Sequence, residues 1–380
     1  MKRSFKIFII MILNIALLSG CWNYKEINEL QIVTGMAIDK VNDKYKVTFE
    51  VIKPKTGKEM DIEPAYITMT DDTILKASRK GILRSGKSLY FSHTKVVIID
   101  SKIAKEGLIP ALDLISRDAD VRSDMWILIS TNTRANEILK SMKDSKEIVS
   151  FHIDDMLKSQ KSLSIYYAID LWHFLNDLSE EGISPILPCI GVITRDEEVK
   201  PEVIGIDIFK QDKMVGCLNE RDSRNLLFIK NKVYGGIVVI PKVNGMDTKI
   251  SLEIFSNNTK VRPVVKEGTI SMKIDVEIDS GIAEIDGSLD VINEKGRKKL
   301  KLASEKLIKR DIEETIKKIQ KQYGTDVFGF GLKIKKEKPK VWKEIKDQWE
   351  EMFSKLPVEI DVKVNIKSSA LTSKPIQVGD

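Results

Sequence analysis

The chain reads as a multi-domain α+β protein, with a mixed α/β first half and a second half built on an antiparallel sheet covered by helices. Three observations predict it. Short apolar runs such as Lys95-Val96-Val97-Ile98-Ile99 and Met125-Trp126-Ile127-Leu128-Ile129 alternate with helical spacings in the first half, as buried strands separated by helices do. In the second half, Ile270, Met272, Ile274, Val276 and Ile278, and again Val358, Ile360, Val362, Val364 and Ile366, alternate with polar residues, which suits strands with one wet face. Between those runs Ile308, Ile312, Ile316, Ile319 and Tyr323 recur at helical spacing, a stripe able to cover the dry face.

The first twenty-one residues, MKRSFKIFIIMILNIALLSGC, have their own logic. Lys2, Arg3 and Lys6 give a cationic start, and the run from Ile7 to Leu18 is broken only by Asn14. That run is too short to span a bilayer, which needs about 20 apolar residues, but it fits the apolar core of a secretory signal. Leu18-Ser19-Gly20-Cys21 ends on a thiol, the pattern of a lipobox, in which the cysteine is alkylated by diacylglycerol and becomes the new N-terminus. Residues 1–20 are therefore expected to be a signal peptide and Cys21 the lipidation site. Two or more acyl chains give stable anchoring where one gives marginal binding. The alternatives are an uncleaved membrane anchor and an ordinary signal with a chance cysteine.

The remaining length, roughly 360 residues, suffices for two or three domains with proper cores. Composition is ordinary for a globular protein, at 42% hydrophobic and 31% charged. The net charge of +6 loses three lysine and arginine charges with the leader, a weak basis for any anionic partner. The basic excess from Lys295 to Lys346 reads first as a solvated helical surface and second as a face toward anionic headgroups. Beyond Cys21 there are only Cys189 and Cys217. They are expected to be two buried free thiols, and without a CxxC spacing neither zinc nor redox chemistry is indicated.

In chain order, Tyr45, Val47, Phe49 and Val51 predict a strand of an early strand pair, closed by the loop Lys53-Pro54-Lys55-Thr56-Gly57. Asp71-Asp72-Thr73 is an N-cap cluster for a helix through Arg84, with Ile74, Ala77, Ser78 and Ile82 on one side. Further helices are expected over Gly107 to Arg117, around Ile138, Leu139 and Met142, and over Ile165, Ala168, Ile169, Trp172 and Leu175. Ser184-Pro185-Ile186-Leu187-Pro188 and Thr194 to Glu198 punctuate the chain, placing a domain boundary between 21–198, itself open to division into two subdomains, and 199–380. Trp342, Ile345, Trp349, Phe353 and Leu356 make one helical face between Pro339 and Pro357, read as core packing before partner docking. Trp22 and Tyr24, beside the lipid site, are read as interfacial aromatics or as part of the fold.

Catalytic chemistry finds no support. His93, His152 and His173 are scattered, with no His-Glu-x-x-His pair. Neither a Gly-x-Ser-x-Gly elbow nor a phosphate-cradling glycine loop occurs, and Asp154-Asp155 and Glu180-Glu181 read as surface charge. No catalytic residue, cofactor-binding residue or metal ligand is predicted.

Cys21-Trp22-Asn23-Tyr24-Lys25-Glu26-Ile27-Asn28 resembles the segment after the lipobox of the Ger(x)C spore germination lipoproteins. The likeness continues through Leu89 to Lys95, Ile98-Ile99, Ala104 to Gly107 and Asp113 to Arg122, then Phe209 to Leu227, then Tyr323-Gly324-Thr325-Asp326-Val327-Phe328-Gly329-Phe330-Gly331 with Trp342 and Trp349. It covers nearly the whole chain in order; Asn23 departs from a frequent Asp. The resemblance implies a non-enzymatic lipoprotein on the outer face of the spore inner membrane. It further implies a mixed α/β fold in about three domains and integral-membrane A and B subunits as partners, with no nucleic acid and no cofactor. Only Cys21 carries a chemical role from it; Gly329 and Gly331 are read as turn residues, and Arg117, Asp118 and Arg122 as an internal ion-pair cluster or a partner-facing one. The rival reading is an extracytoplasmic solute-binding lipoprotein of a transporter, and a secreted hydrolase comes third.

Overall fold

The computed structural model describes residues 26–54, 62–117, 120–143, 145, 147–243, 249–286 and 293–368, together with Phe5, Lys6 and Phe8. Cys21, Trp22, Tyr24 and Asp118 lie outside the described residues.

Strands β1 (Leu30–Val41), β2 (Lys44–Pro54) and β3 (Ile62–Asp71) form an antiparallel meander, and β4 (Ser88–Tyr90) pairs with the start of β1. Strands β5 (Val96–Asp100), β6 (Trp126–Ser130) and β7 (Ile186–Arg195) extend the sheet from β1 in parallel. Antiparallel β8 (Glu198–Lys210) and β9 (Lys213–Leu218) complete it. Every residue of β5 is buried, as a central parallel strand covered on both faces should be. The early strand pair is confirmed: Asn42 and Asp43 hold positive φ at its turn, the two-residue geometry that matches strand twist.

Helices fill the connections. The first, α1 (Ile74–Ser85), starts where the sequence indicates, with the Thr73 side chain accepting the Lys76 N–H. Ile74 and Ala77 are buried, but Ile82 faces solvent. Next come α2 (Ser101–Glu106), α3 (Ile109–Arg117), α4 (Ala135–Leu139), α5 (Val149–Lys158) and α6 (Leu171–Ser179).

Two expectations differ from the structure, and one helix lies where the sequence analysis expects none. The helical spacing from Ile165 to Leu175 is helical only from Leu171, because the Asp170 carboxylate accepts the His173 N–H and starts α6 there. Upstream, the Ile169 carbonyl accepts the Ile127 N–H, holding that stretch against β6. Trp172 consequently points outward. Ile186 to Pro188, read as punctuation, belongs to β7. Pro188 is tolerated because β6 pairs with β7 only from Cys189 onward, so its missing N–H costs no ladder bond on that side. Helix α5 was not anticipated at all.

The smaller sheet runs β10 (Ile237–Ile240), β11 (Lys249–Lys266), β12 (Thr269–Asp286) and β13 (Val358–Ser368). The alternating runs are strands with one buried face, as predicted. The sheet is not wholly antiparallel, however: β13 pairs with β12 in parallel. After β12 the chain enters α8 (Glu294–Lys318), which at 1.5 Å per residue spans about 37 Å. The crossover through α8 and the shorter helices after it brings Pro357 beside Met272 near the start of β12, and a long crossover of this kind is what joins parallel strands. Ile308, Ile312 and Ile316 of α8 are buried, as the apolar stripe requires.

The proposed boundary after residue 198 falls at the β7–β8 turn, where Asp196 and Glu197 hold positive φ. The larger sheet thus draws strands from both sides of it. Helix α7 (Glu220–Ile229) then packs against α8, where Asp222 accepts Thr315 Oγ1 at 2.9 Å and Lys318 Nζ at 2.7 Å.

Candidate functional site

Buried carboxylates are where latent chemistry would sit, and among the described residues half of them, Asp39, Glu50, Asp100 and Asp326, cap helices. Helices α4 and α5 have Arg134 and Ile148 at their N-caps, neither of which caps with its side chain. Distant strands supply the acceptors. Asp39 of β1 accepts the Ala135 and Asn136 N–H groups at 2.8 and 3.0 Å. Glu50 of β2 accepts those of Val149 and Ser150 at 2.8 and 3.0 Å, and also the Thr34 hydroxyl. Such N–H groups have no partner within the helix, and the helix dipole favours a negative group there. Burial still dominates: it raises the Glu50 carboxyl and pushes Asp39 up to about 6.

Asp326 is the densest of these points. It lies in the Tyr323 to Gly331 block, just before the short helices α9 (Phe330–Glu337), α10 (Pro339–Ile345) and α11 (Trp349–Lys355). Its carboxylate accepts the N–H groups of Gly329 at 2.9 Å, Phe330 at 3.1 Å and Gly331 at 2.8 Å, and Trp349 Nε1–H at 3.2 Å. Burial pushes it up to about 6. Gly329 turns the chain in the left-handed region at φ 78°, as the sequence suggests. Gly331 serves differently: a Cβ there would lie 2.6 Å from Trp349 Nε1 and 2.8 Å from Gly182 Cα.

That contact joins this block to the segment before β7. Leu332 N–H donates to the Gly182 carbonyl at 2.7 Å, Ser184 N–H to the Asp326 carbonyl at 2.8 Å, and Thr325 Oγ1–H reaches the Phe209 carbonyl at 3.0 Å. Around them Lys335 pairs with Glu180 at 2.7 Å, and Trp342 Nε1 donates to Glu181 at 3.4 Å. These contacts hold both glutamates below the usual carboxylate range, Lys335 acting first on Glu180 and Trp342 on Glu181. A cleft of about 390 Å³ opens beside them, lined by Glu181, Asp326, Trp342 and Trp349 among others. With its acceptors occupied, Asp326 is not placed as a general base. The arrangement is a junction, and Trp342, Trp349, Phe353 and Leu356 are buried in it, as core packing demands.

The remaining sequence candidates stay apart. His93 and His173 are exposed, the latter paired with Asp170 at 2.7 Å. Asp154 is not surface charge: it is buried, accepting Trp126 Nε1–H at 2.8 Å and Lys158 at 2.7 Å. Arg117 pairs with Asp113 and Arg122 with Asp124, all at the surface, so among the described residues these arginines form separate local pairs, while Asp118 lies outside those residues. Cys189 and Cys217 are free, Cys189 buried and Cys217 half-buried, yet their sulfurs lie 3.2 Å apart beside Asp207. Their spacing of twenty-eight residues matches no short ligand motif, and the juxtaposition appears only once β7, β8 and β9 are paired.

Two family models match in chain order. The spore germination protein N-terminal domain covers residues 23–192, and the spore germination B3/GerAC-like C-terminal domain covers residues 204–370. The chain belongs to this family of spore germination proteins. Its place there gives it a role in germination. It is 25% identical to spore germination protein KC of Bacillus subtilis (strain 168), over 99% of this chain and 98% of that protein. Spore germination protein B3 of the same strain is 24% identical, with 96% and 98% covered, and GerQC of Bacillus cereus is 23% identical, with 98% and 100% covered. The crystal structure of the GerBC protein has the same fold, at a TM-score of 0.56 and 20% identity, over 87% of this chain and 96% of that one. The Ger(x)C resemblance and the mixed, multi-domain fold expected from it are thus confirmed.

Proposed function

We propose that this germination protein is a non-catalytic, lipid-anchored subunit of a membrane germinant receptor, needed for nutrients to trigger germination. The observation that carries the reading is the match of both family domains, in order, over nearly the whole chain. The leader ending at Cys21 supports the anchor, with the mature chain held on the outer face of the spore inner membrane beside integral-membrane A and B subunits. Among the described residues no helix is long and apolar enough to cross a membrane. A diacylglyceryl-cysteine then does the tethering, because two or more acyl chains hold a protein stably.

Tethering suits a subunit without chemistry of its own. Confinement to the membrane plane raises the effective concentration of its partners and keeps weak contacts populated. The buried acids support the same reading, since Asp39, Glu50 and Asp326 are engaged in holding helices. The test is deletion of the gene in a strain without a redundant receptor, scored by nutrient-triggered germination. Loss of the nutrient response, with the response to non-nutrient triggers retained, is expected; an unchanged nutrient response overturns the proposal.

A further inference from the structure

Asp207 differs from the other buried carboxylates among the described residues, each of which accepts a hydrogen bond or pairs with a cation. It sits toward the end of β8 with no exposed surface, and among the described residues neither carboxylate oxygen has a hydrogen-bond partner. An uncompensated buried charge costs several kcal/mol, so a carboxylate in this position either stays protonated or faces a cation. Burial, then the neighbouring Cys217, raise its carboxyl well above the ordinary range, and Lys105 acts weakly in the other direction.

Two thiols lie beside it. Cys189 of β7 stands opposite Gly205 of β8, and Cys217 of β9 stands opposite Asp207. Residues two apart on a strand share a face, so both sulfurs and the carboxylate gather on one side of β8, where Gly205 has no side chain to separate them. The sulfurs are 3.2 Å apart, and all three donor atoms lie within 4.8 Å of one another.

We propose that Cys189, Asp207 and Cys217 form a binding site for a soft divalent cation of the zinc class. The donors suit it: zinc takes thiolate sulfur at about 2.3 Å and carboxylate oxygen at about 2.0–2.2 Å in a tetrahedral shell. Tetrahedral sulfurs at that bond length stand about 3.8 Å apart, so binding opens the thiol pair by roughly half an ångström. Calcium and magnesium seek six or more oxygens and do not fit two sulfurs. Half-buried Cys217 leaves one side toward solvent, where water takes the fourth position.

The two sulfurs are in contact at 3.2 Å, and a divalent metal displaces thiol protons as it binds. Two thiolates and a carboxylate around a dication leave one net negative charge, and the fields of Lys105 and Lys318 reach the site with the opposite sign. Both thiols are free in the structure, and a Cys189–Cys217 disulfide is the competing fate of this pair.

Such a cation would rivet β7, β8 and β9 together. Cys189 lies within the N-terminal family domain and Asp207 and Cys217 within the C-terminal one, so the site would clamp the two halves of the chain. The proposal stands on this geometry and is independent of the receptor reading.

The experiment titrates Zn²⁺ into the metal-stripped, reduced full chain in detergent against a chromophoric chelator, with Co²⁺ as a spectroscopic probe. One equivalent should bind, Co²⁺ should give sulfur-to-metal charge transfer with tetrahedral ligand-field bands, and the thermal midpoint should rise with zinc. Cys217→Ser and Asp207→Asn should each weaken binding by at least about tenfold. Asp207→Asn keeps the shape of the site and lacks the orphaned charge, so it supplies a folded test should a cysteine variant misfold. No stoichiometric binding, binding unaffected by Asp207→Asn and Cys217→Ser alike, or quantitative conversion to a Cys189–Cys217 disulfide that zinc does not protect against, overturns the proposal.

Discussion

Asp326 and Asp207 are both buried carboxylates near the middle of the molecule, and they have opposite surroundings. Asp326 accepts four N–H donors and joins the C-terminal block to the segment before β7. Asp207 accepts none among the described residues and faces two thiols. Burial alone does not separate a structural acid from a chemical one; the accounting of donors does. At Asp326 the charge is spread over helix-terminal N–H groups, whereas at Asp207 the compensation has to come from a proton or a cation.

The largest expected effect sharpens that contrast. Asp326→Ala orphans three backbone N–H groups and the Trp349 indole in a dry junction, where each unsatisfied group costs about 1–3 kcal/mol. It should lower stability in urea by at least ~3 kcal/mol. Asp207→Ala in the metal-free protein should cost less than about 1 kcal/mol, because no hydrogen bond is lost and a buried carboxyl without a partner is removed. Equal losses from the two substitutions would break the comparison.

A smaller effect is the pH dependence. Asp39 and Asp326 are both pushed up to about 6 in the folded protein, against about 3.9 in an unfolded chain. Between those values the folded state binds more protons than the unfolded one, so their contribution is fully present below about 4 and is lost as pH rises through about 6. The unfolding free energy from urea titration should therefore climb as pH falls from about 7 to about 5, by on the order of 1–2 kcal/mol, and Asp39→Asn should remove part of that slope. Below about 4 the trend reverses, as Asp113 and Asp279, held low first by Arg117 and Lys367 respectively, take up protons. An unfolding free energy that is flat or falling between pH 7 and 5 would contradict the assignment.

Much of the fold was legible because its signals are local. Thr73 caps α1, and the alternation through Ile270 to Ile278 and Val358 to Ile366 gives two strands with one dry face. What stayed hidden depends on distant partners. The parallel direction of β13 follows from the crossover through α8, which strand periodicity does not encode. The Ile165 to Ile169 stretch has helical spacing yet is held against β6. Helices α4 and α5 lack local caps because Asp39 and Glu50 provide them from ninety-six and ninety-nine residues away, and no window of sequence contains both partners. The Cys189, Asp207 and Cys217 cluster is hidden for the same reason. Cys21 is the reverse case, read entirely from the residues that precede it and lying outside the described structure.

Cys21→Ala tests the proposal that this germination protein works as a membrane-tethered subunit. Spores carrying the variant in place of the natural chain would be assayed for nutrient-triggered germination, with its abundance and membrane fraction measured alongside. The account predicts loss of lipid labelling, depletion from the membrane fraction and a fall of at least about tenfold in germination rate, in line with the loss of effective concentration. Full germination by an unlipidated, membrane-free variant would contradict it.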